Sequence, residues 1–439
     1  MYEYLVKELH KYNRQNKPSV TCMIDAKIDE RLEKIIRRLN KITESLSLIS
    51  LIRPTNLRTI EKFWKEEGPE SSAIPFEFQY NKKGLMEATE KAGEIELLRQ
   101  ELKSINLGNG QGAVDYVLRE IVGHRIKDVL KNAEIAKTFL EGSDTEKSNS
   151  IAKKYPRPED WLLVEANQTI KWLLDESKAG RRFDSMLLHV QIRANELRDY
   201  FADVLAKYGM DDWKVELSDS RKIISVRYDC PDGIPRIYIP SNRIVNGVEA
   251  IRLATHEIEC HVLDTMNGMA LTHGLCKVDN DFLYEGRASF SDVMVESRYT
   301  GIPKTLLCKA ILVIGIDMAI NGANFCDVAK MAYQKFVEFC FNRESAMNEA
   351  FKIALRIFRG CSESANRNNS GYAFTKDTVY LRGYMKAYEL SQAGLSNYLL
   401  LGMSTPEDLI AVSGNFSVTD LSGLPYKNCG FSEKLARNL

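Results

Sequence analysis

Apolar residues recur every three or four positions over most of the chain, which is the spacing of amphipathic helices. Residues 28–42 show it most clearly, since one helix face there would carry Ile28, Leu32, Ile35, Ile36, Leu39 and Ile42. Between residues 213 and 239 the period changes to two, as in strands. We therefore predict a mostly helical α+β fold with a small antiparallel sheet, whose strands are Trp213–Leu217, Ile223–Tyr228 and Arg236–Ile239.

A further helix is predicted directly after this sheet, from about Asn242 to Gly268. It contains His256, Glu257 and His261, and so holds two of the six histidines of the chain. Two imidazole ligands and a carboxylate that acts on a metal-bound water are the groups that a catalytic divalent metal requires. A small sheet followed by a metal-ligand helix is also the general arrangement of zinc peptidases of the zincin type.

The spacing of the two histidines constrains this metal site. His256 and His261 are five residues apart, which places them about 140° apart on an ideal helix and points them away from a common metal. A shared site therefore requires a one-residue bulge, most simply a π-type turn around Ile258 to Cys260. Two other interpretations stay open. Cys260 follows His256 by four residues and its thiolate would be a sound zinc ligand; alternatively, these residues stand in a core helix by coincidence.

Length and charge exclude several classes of protein. The chain has 439 residues with 60 Lys plus Arg and 60 Asp plus Glu, so no overall field attracts nucleic acid or an anionic membrane. No apolar run reaches the roughly 18 residues of a membrane span, and the best candidate, residues 306–320, is interrupted by Lys309 and Asp317. The opening residues lack the apolar core of a signal peptide. We expect a soluble, cytoplasmic protein whose nine cysteines are reduced thiols.

Four separate sequence blocks resemble the tyrosine carboxypeptidase family of atypical zincins. They are HEIECHVL from His256, Tyr-Glu-Gly at 284–286, RIFRG at 356–360 and FTKDTVYLRG at 374–383. Animal members of this family include the microtubule-associated tyrosine carboxypeptidase, and bacterial members are named for a QEGLA motif. The resemblance implies one Zn²⁺ per chain with His256, His261 and Glu285 as ligands and Glu257 as general base. It also implies a zincin-like catalytic domain, which we place at residues 51–425, between a helical extension (1–50) and a tail (426–439).

The chain departs from the family pattern at two places. Where bacterial relatives have Gln-Glu-Gly-Leu-Ala, this chain has Tyr-Glu-Gly-Arg-Ala at residues 284–288. Glu259 and Cys260 stand where relatives tend to have small residues between the histidines. Because the glutamate and glycine of the motif are kept, we expect these changes to affect the choice of substrate and not the metal site.

Other residues of these blocks are candidates for supporting roles. Ser289 and Asp292 follow Glu285 by one and two helical turns and could orient a ligand histidine, although Asp292 could equally be an exposed charge. Tyr380 or Tyr384 could donate a hydrogen bond to the oxyanion, although both could equally be core tyrosines. The loop residue His273 is more simply an exposed histidine without function.

A carboxypeptidase must also bind the terminal carboxylate of its substrate, for which a fixed Arg or Lys is the natural device. The candidates are Lys376, Arg359, Arg356 and Arg382, and we favour the first two. Together these features predict a zinc carboxypeptidase that acts on the C-terminal tail of a protein or peptide, with an aromatic residue preferred and without nucleic acid or membrane partners. A zinc endopeptidase and an inactive binding or regulatory protein with the same fold are the alternatives.

Overall fold

A computed structural model describes most of the chain and shows a mostly helical α+β fold, as predicted. Among the described residues the strands form two small β-sheets, and helices come before and after them in the chain. The described residues are 2–13, 17–43, 46, 51–68, 79–105, 112–180, 185–221, 223–228, 234–275, 282–339, 341–361, 371–403, 405–419, 421 and 424.

Helices make up most of the described chain. None of those described combines the length and the apolar composition that crossing a membrane requires. A π-helical segment, Thr255–Val262, joins α9 and α10 into one continuous helix. The α-helices of the described chain are α1 (Tyr2–Asn13), α2 (Glu30–Thr43), α3 (Leu57–Glu67), α4 (Lys82–Ser104), α5 (Ala113–Glu141), α6 (Asp144–Lys154), α7 (Asp160–Lys178), α8 (Ala194–Lys207), α9 (Gly247–Ala254), α10 (Leu263–Leu271), α11 (Phe282–Thr300), α12 (Lys304–Ile320), α13 (Phe325–Glu338), α14 (Arg343–Ile357), α15 (Thr378–Gln392) and α16 (Pro406–Asn415).

The three predicted strands are present and form one sheet. The strands of the described chain are β1 (Gln191–Arg193), β2 (Lys214–Ser218), β3 (Ser225–Arg227), β4 (Arg236–Pro240) and β5 (Ile244–Asn246). The sheet order is β2-β4-β3, and β3 runs antiparallel to β4, with Val226 opposite Ile237. However, β2 runs parallel to β4, so this sheet is mixed, whereas β1 and β5 form a separate antiparallel pair. The alternating pattern therefore predicted the three strands correctly, but the predicted antiparallel pairing is wrong for β2 and β4.

The apolar stripe predicted on the first long helix faces the core. In α2 the side chains of Leu32, Ile35, Ile36, Leu39 and Ile42 are at most 3% exposed. The N-terminal segment also contacts the C-terminal part of the chain, since the Val20 amide donates to the Ser417 carbonyl (2.9 Å). The division into residues 1–50, 51–425 and 426–439 stays a prediction, and the tail from 426 lies outside the described residues.

Helices α11 and α15 are in main-chain contact where two glycines meet. A Cβ atom built at Gly286 would overlap the carbonyl group of Gly383. Glu285 precedes one of these glycines, and Tyr380 lies one turn before the other. The glycine of the Tyr-Glu-Gly block therefore sets the distance between Glu285 and α15.

Replacing Gly286 with Ala should destabilise the protein by about 1–3 kcal/mol, because the added methyl group meets main chain that cannot rotate away. The free energy of unfolding in a denaturant titration measures this effect. Gly93→Ala is the matched control, since a Cβ at Gly93 in α4 has no atom within 4 Å and should raise stability by up to about 1 kcal/mol. Equal stability changes in the two variants would contradict the close contact between α11 and α15.

Candidate metal centre

The helix that carries both histidines changes its hydrogen-bond pattern at the histidines themselves. Residues Thr255–Val262 are π-helical, and the Leu263 amide donates to the Ile258 carbonyl five residues earlier. This confirms the π-type turn that the five-residue spacing predicted. Because the turn inserts one residue, it rotates His261 back toward the side of the helix on which His256 lies.

The side chains of His256, His261 and Glu285 converge. The Nε2 atoms of the two histidines are 3.2 Å apart, and His261 Nε2 lies 3.9 Å from a carboxylate oxygen of Glu285. The two imidazole rings are nearly perpendicular, at 89°. His261 and Glu285 are buried, whereas His256 is partly exposed. One possible ligand atom from each residue lies within 4.8 Å of the other two.

This donor set fits a divalent metal. Two imidazole nitrogens and a carboxylate oxygen are the protein ligands of one type of catalytic zinc site. Ligand atoms of a tetrahedral zinc ion lie about 3.3 Å from each other, which is close to the 3.2 Å between the two nitrogens. Cys260 is buried in the same π-helix, but it is not a member of the group that meets within the described residues.

Asp292 lies behind His256. One of its carboxylate oxygens is 3.1 Å from His256 Nδ1 and accepts a hydrogen bond from Arg252 (3.0 Å), while the other accepts from Lys309 (3.2 Å). Burial by itself would raise the pKa of Asp292, but the charges of His256, Lys309 and Arg252 hold it well below its usual range. The ionised carboxylate therefore turns His256 Nδ1 toward itself and leaves Nε2 facing His261, as carboxylates do behind metal-ligating histidines.

Asp292→Asn should destabilise the protein by about 3–5 kcal/mol, because it leaves the buried ammonium of Lys309 without its counter-charge, whereas Arg252 keeps Glu296 at 3.9 Å. We also expect metal affinity to fall about 10- to 100-fold, since the ring of His256 is no longer held. Denaturant unfolding and competition with a chromophoric chelator measure the two effects. Asp317→Asn on α12 is the control and should change stability by less than about 0.5 kcal/mol. If Asp292→Asn bound metal as tightly as the wild type, Asp292 would have no role in the metal site.

Glu257 is adjacent to His256 and partly exposed. Burial raises the pKa of its carboxyl group to about 7; the charge of His256 opposes this increase and that of Glu285 adds to it. A carboxyl group that titrates near neutral pH can both accept and release a proton there. This is the property required of a general base that later acts as an acid.

We call the three converging side chains of His256, His261 and Glu285 the metal group. A tyrosine and an arginine lie next to it on the side of α15. The guanidinium of Arg356 lies 4.9 Å from the ring centroid of Tyr380 and pairs with Asp377 at 2.7 Å. Burial and the charge of Glu285 raise the pKa of Tyr380, so its hydroxyl stays protonated and can donate a hydrogen bond. Arg356, in contrast, is already engaged by Asp377.

Two further cations lie in the same region. The guanidinium of Arg359 is 5.7 Å from the Phe374 ring centroid, and within the described chain it forms no ion pair. Burial lowers the pKa of Arg359, and the charge of Asp377 opposes that decrease. The positive charge of Arg359 in turn acts on Tyr380. Lys376 is fully buried. Burial raises the pKa of Glu285, and the charges of His256 and Lys376 oppose that increase. Positive charge therefore borders the metal group on one side.

A sequence model of the family described as microtubule-associated tyrosine carboxypeptidase matches residues 86–411. The chain belongs to this family. The matched region includes the three residues that meet at the metal centre, Glu257 and the neighbouring cations. Membership confirms the resemblance inferred from the four sequence blocks and makes the chain a member of a carboxypeptidase family. A comparison with curated proteins gave no match.

Two of the predicted site residues in this tyrosine carboxypeptidase family member have partners elsewhere. Arg382 donates to Glu159 at the start of α7 (2.8 Å). Tyr384 lies in an aromatic cluster with Phe290 and Tyr388, at ring-centroid distances of 6.2 and 6.3 Å, and burial raises its pKa to about 12. These contacts give both residues a structural role that the sequence blocks did not reveal.

Of the remaining candidates Ser289, Asp292 and His273, one forms a hydrogen bond with a side chain of the metal group. The Ser289 hydroxyl is fully buried and forms no hydrogen bond within the described part of the chain, whereas Asp292 forms one with His256. The ring of His273 donates to the Met23 carbonyl (2.8 Å) on the N-terminal segment. That contact accounts for this histidine without a catalytic role.

Sequence reasoning missed three residues that hold the centre in place. Tyr284 stacks on the ring of His261, with centroids 4.2 Å apart and planes at 24°. Arg252 and Lys309 are the cationic partners of Asp292. A signal existed for Lys309, because it is one of the two charged residues that interrupt the apolar run 306–320. Arg252 lies one turn before His256, but that spacing is too common to indicate a role.

Proposed function

We propose that the protein is a zinc carboxypeptidase that removes the C-terminal residue, preferably an aromatic one, from a protein or peptide tail. The observation that carries this proposal is the convergence of His256, His261 and Glu285 through a π-helical turn. Its context is a chain that belongs to a family named for the removal of tyrosine. In this proposal the three side chains hold one Zn²⁺ per chain, since their donor atoms are those of known catalytic zinc sites.

The surrounding residues would carry out the hydrolysis as follows. When bound, zinc supplies a Lewis acid that activates water and polarises the scissile carbonyl. Glu257 takes the proton of the attacking water and passes it to the leaving amine, since it directly follows His256 and lies close enough to Glu285 for their charges to interact. Tyr380 donates a hydrogen bond to the carbonyl oxygen as negative charge develops there.

The positive side of the centre would bind the terminal carboxylate of the substrate. Of the four cations that the sequence indicated, Arg356 and Arg382 are paired with Asp377 and Glu159. Arg359 is a desolvated cation without an ion pair among the described residues, and we assign the carboxylate to it. Lys376 adds positive charge from a fully buried position. A guanidinium can hold a carboxylate with two hydrogen bonds.

The proposal is tested by matched peptides with a free or an amidated C-terminus, incubated with the purified protein and followed by mass spectrometry. We expect stoichiometric zinc in the protein and loss of single C-terminal residues from the free-acid peptides alone. Cleavage of both peptide series at internal bonds would instead identify an endopeptidase. Absence of both metal and cleavage would favour an inactive binding protein.

Arg359→Gln should lower kcat/KM for free-acid peptides about 10- to 100-fold, because a hydrogen bond to a charged group contributes about 1.5–3 kcal/mol. Steady-state kinetics with free-acid and amidated peptides measure the effect, and the preference for the free acid should shrink by the same factor. Arg382→Gln is the matched control, since its guanidinium pairs with Glu159, and it should leave the preference unchanged. If only Arg382→Gln reduced the preference, the carboxylate assignment would be wrong.

A further inference from the structure

The π-helical turn displaces a hydrogen bond of the helix. In a regular α-helix the Leu263 amide would donate to the carbonyl of Glu259, four residues earlier. Here it donates to the Ile258 carbonyl, five residues earlier. The carbonyl of Glu259 therefore loses its usual donor at the point where the inserted residue is accommodated. A buried carbonyl without a donor is costly, so this turn needs a donor from outside the helix.

Arg287 provides that donor. Its Nη2 atom donates to the Glu259 carbonyl at 3.0 Å, and Nη1 donates to the Leu399 carbonyl at 3.2 Å. The same guanidinium forms an ion pair with Asp264 on α10. Arg287 is 1% exposed and Asp264 is 2% exposed. One planar group with several fixed donors thus connects α11, the π-helical turn and the helix that follows it.

We propose that Arg287 is a positioning residue that stabilises the π-helical register, and thereby keeps His256 and His261 on one metal. This rests on the proposed metal site, but its first step concerns only the helix. Without a donor for the Glu259 carbonyl, the regular register gains over the π register, and in the regular register the two histidines are about 140° apart. Arg287 belongs to the Tyr-Glu-Gly-Arg-Ala block. The block therefore supplies one proposed ligand, Glu285, and also the residue that holds the other two, His256 and His261, in position.

The burial of this ion pair supports a role in specifying a conformation. Well-packed apolar residues in place of a buried ion pair are often neutral or stabilising, so overall stability does not require such a pair. A conformational register that is intrinsically less favourable does require a specific donor. A role in overall stability and a role in specifying the π-helical register can therefore be separated by replacing both charges at once.

Two variants make this separation. In the double variant Arg287→Met/Asp264→Leu the buried charges are removed together, so neither charge is left without its partner, and the lost hydrogen bond to the Leu399 carbonyl should lower the thermal midpoint only modestly. In Arg287→Lys the charge opposite Asp264 is kept, but one ammonium cannot span Asp264 and the two carbonyls as the guanidinium does. Each variant is compared with the wild type in thermal midpoint, in Zn²⁺ affinity by chelator competition, and in hydrogen exchange of residues 255–264 in the metal-free protein.

We expect both variants to remain folded, to bind Zn²⁺ about 10- to 100-fold more weakly, and to exchange the amides of the π-helical turn faster than the wild type, because a helix that passes between two registers breaks these hydrogen bonds on the way. Wild-type affinity and wild-type exchange in a folded variant would overturn the proposal. If the double variant does not fold, Arg287→Lys decides by the same two measurements. If the wild type itself binds no Zn²⁺, the proposed function is wrong, and hydrogen exchange in the metal-free protein still decides whether Arg287 holds the register.

Discussion

Replacing Glu257 with Gln should reduce peptide hydrolysis about 10²- to 10⁴-fold, the contribution typical of a positioned general acid or base. The amide has nearly the shape of the carboxylate but cannot accept the proton of the attacking water at neutral pH. Because Glu257 is not one of the three side chains whose ligand atoms meet, the variant should keep its metal. Initial rates on free-acid peptides, together with the metal content of the same preparation, measure the two parts of this prediction.

Glu259→Gln is the matched control for this experiment. Glu259 lies in the same π-helical turn, but its side chain accepts a hydrogen bond from the Tyr208 hydroxyl (2.9 Å) and is not directed to the metal group. Its replacement should keep most of the activity. Loss of metal in Glu257→Gln would mean that this residue is a ligand, and full activity without loss of metal would assign the base to another group.

The π-helical turn could be predicted from the sequence because ligand chemistry restricts geometry so strongly. A regular helix cannot bring His256 and His261 to one ion, so the hypothesis of a shared metal predicted the inserted residue and its place. The same reasoning could not predict how the turn is stabilised. Arg287 reaches Glu259 from another helix, and a contact between helices leaves no periodic signal in the sequence.

The sequence also could not predict which charged residues pair with each other. The sequence offered four cations in two family blocks as candidates for the substrate carboxylate, with Lys376 and Arg359 favoured, but it could not show which of them are paired. Asp377 is adjacent in the sequence to one candidate, Lys376, yet it pairs with another, Arg356, 21 residues away. Arg382 pairs with Glu159, which is 223 residues away. Only the three-dimensional arrangement shows which cations are already engaged and which are available to an anion.

The sequence likewise could not predict whether neighbouring strands run parallel or antiparallel. An alternating pattern states which side chains of a strand face the core, but both parallel and antiparallel neighbours satisfy it. The three strands at residues 213–239 were therefore found, whereas the parallel pairing of β2 with β4 was not. For the site this error has little consequence, since β3 and β4 still lead into the helix that carries the histidines.

His261→Ala should remove stoichiometric metal from the purified protein, whereas Cys260→Ala should retain it. The sequence allowed either residue as the partner of His256, and the two differ by one position in the same turn. With the π-helical register His261 Nε2 is 3.2 Å from His256 Nε2, and Cys260 is not in the group. A four-ligand zinc site contributes about 10–16 kcal/mol in total, so losing one ligand should cost about 3–4 kcal/mol and weaken binding about 10²- to 10³-fold.

Metal analysis after dialysis against a weak chelator measures this difference, and substitution with Co²⁺ provides an independent readout. A cobalt ion bound by two imidazoles and a carboxylate should lack the intense near-ultraviolet absorption of a cobalt–thiolate bond. Retention of metal in His261→Ala, together with its loss in Cys260→Ala, would show that the regular register forms when metal binds. In that case the i, i+4 pair His256 and Cys260 would be the ligands, and the hydrogen bond from Arg287 to Glu259 would belong to the metal-free state alone.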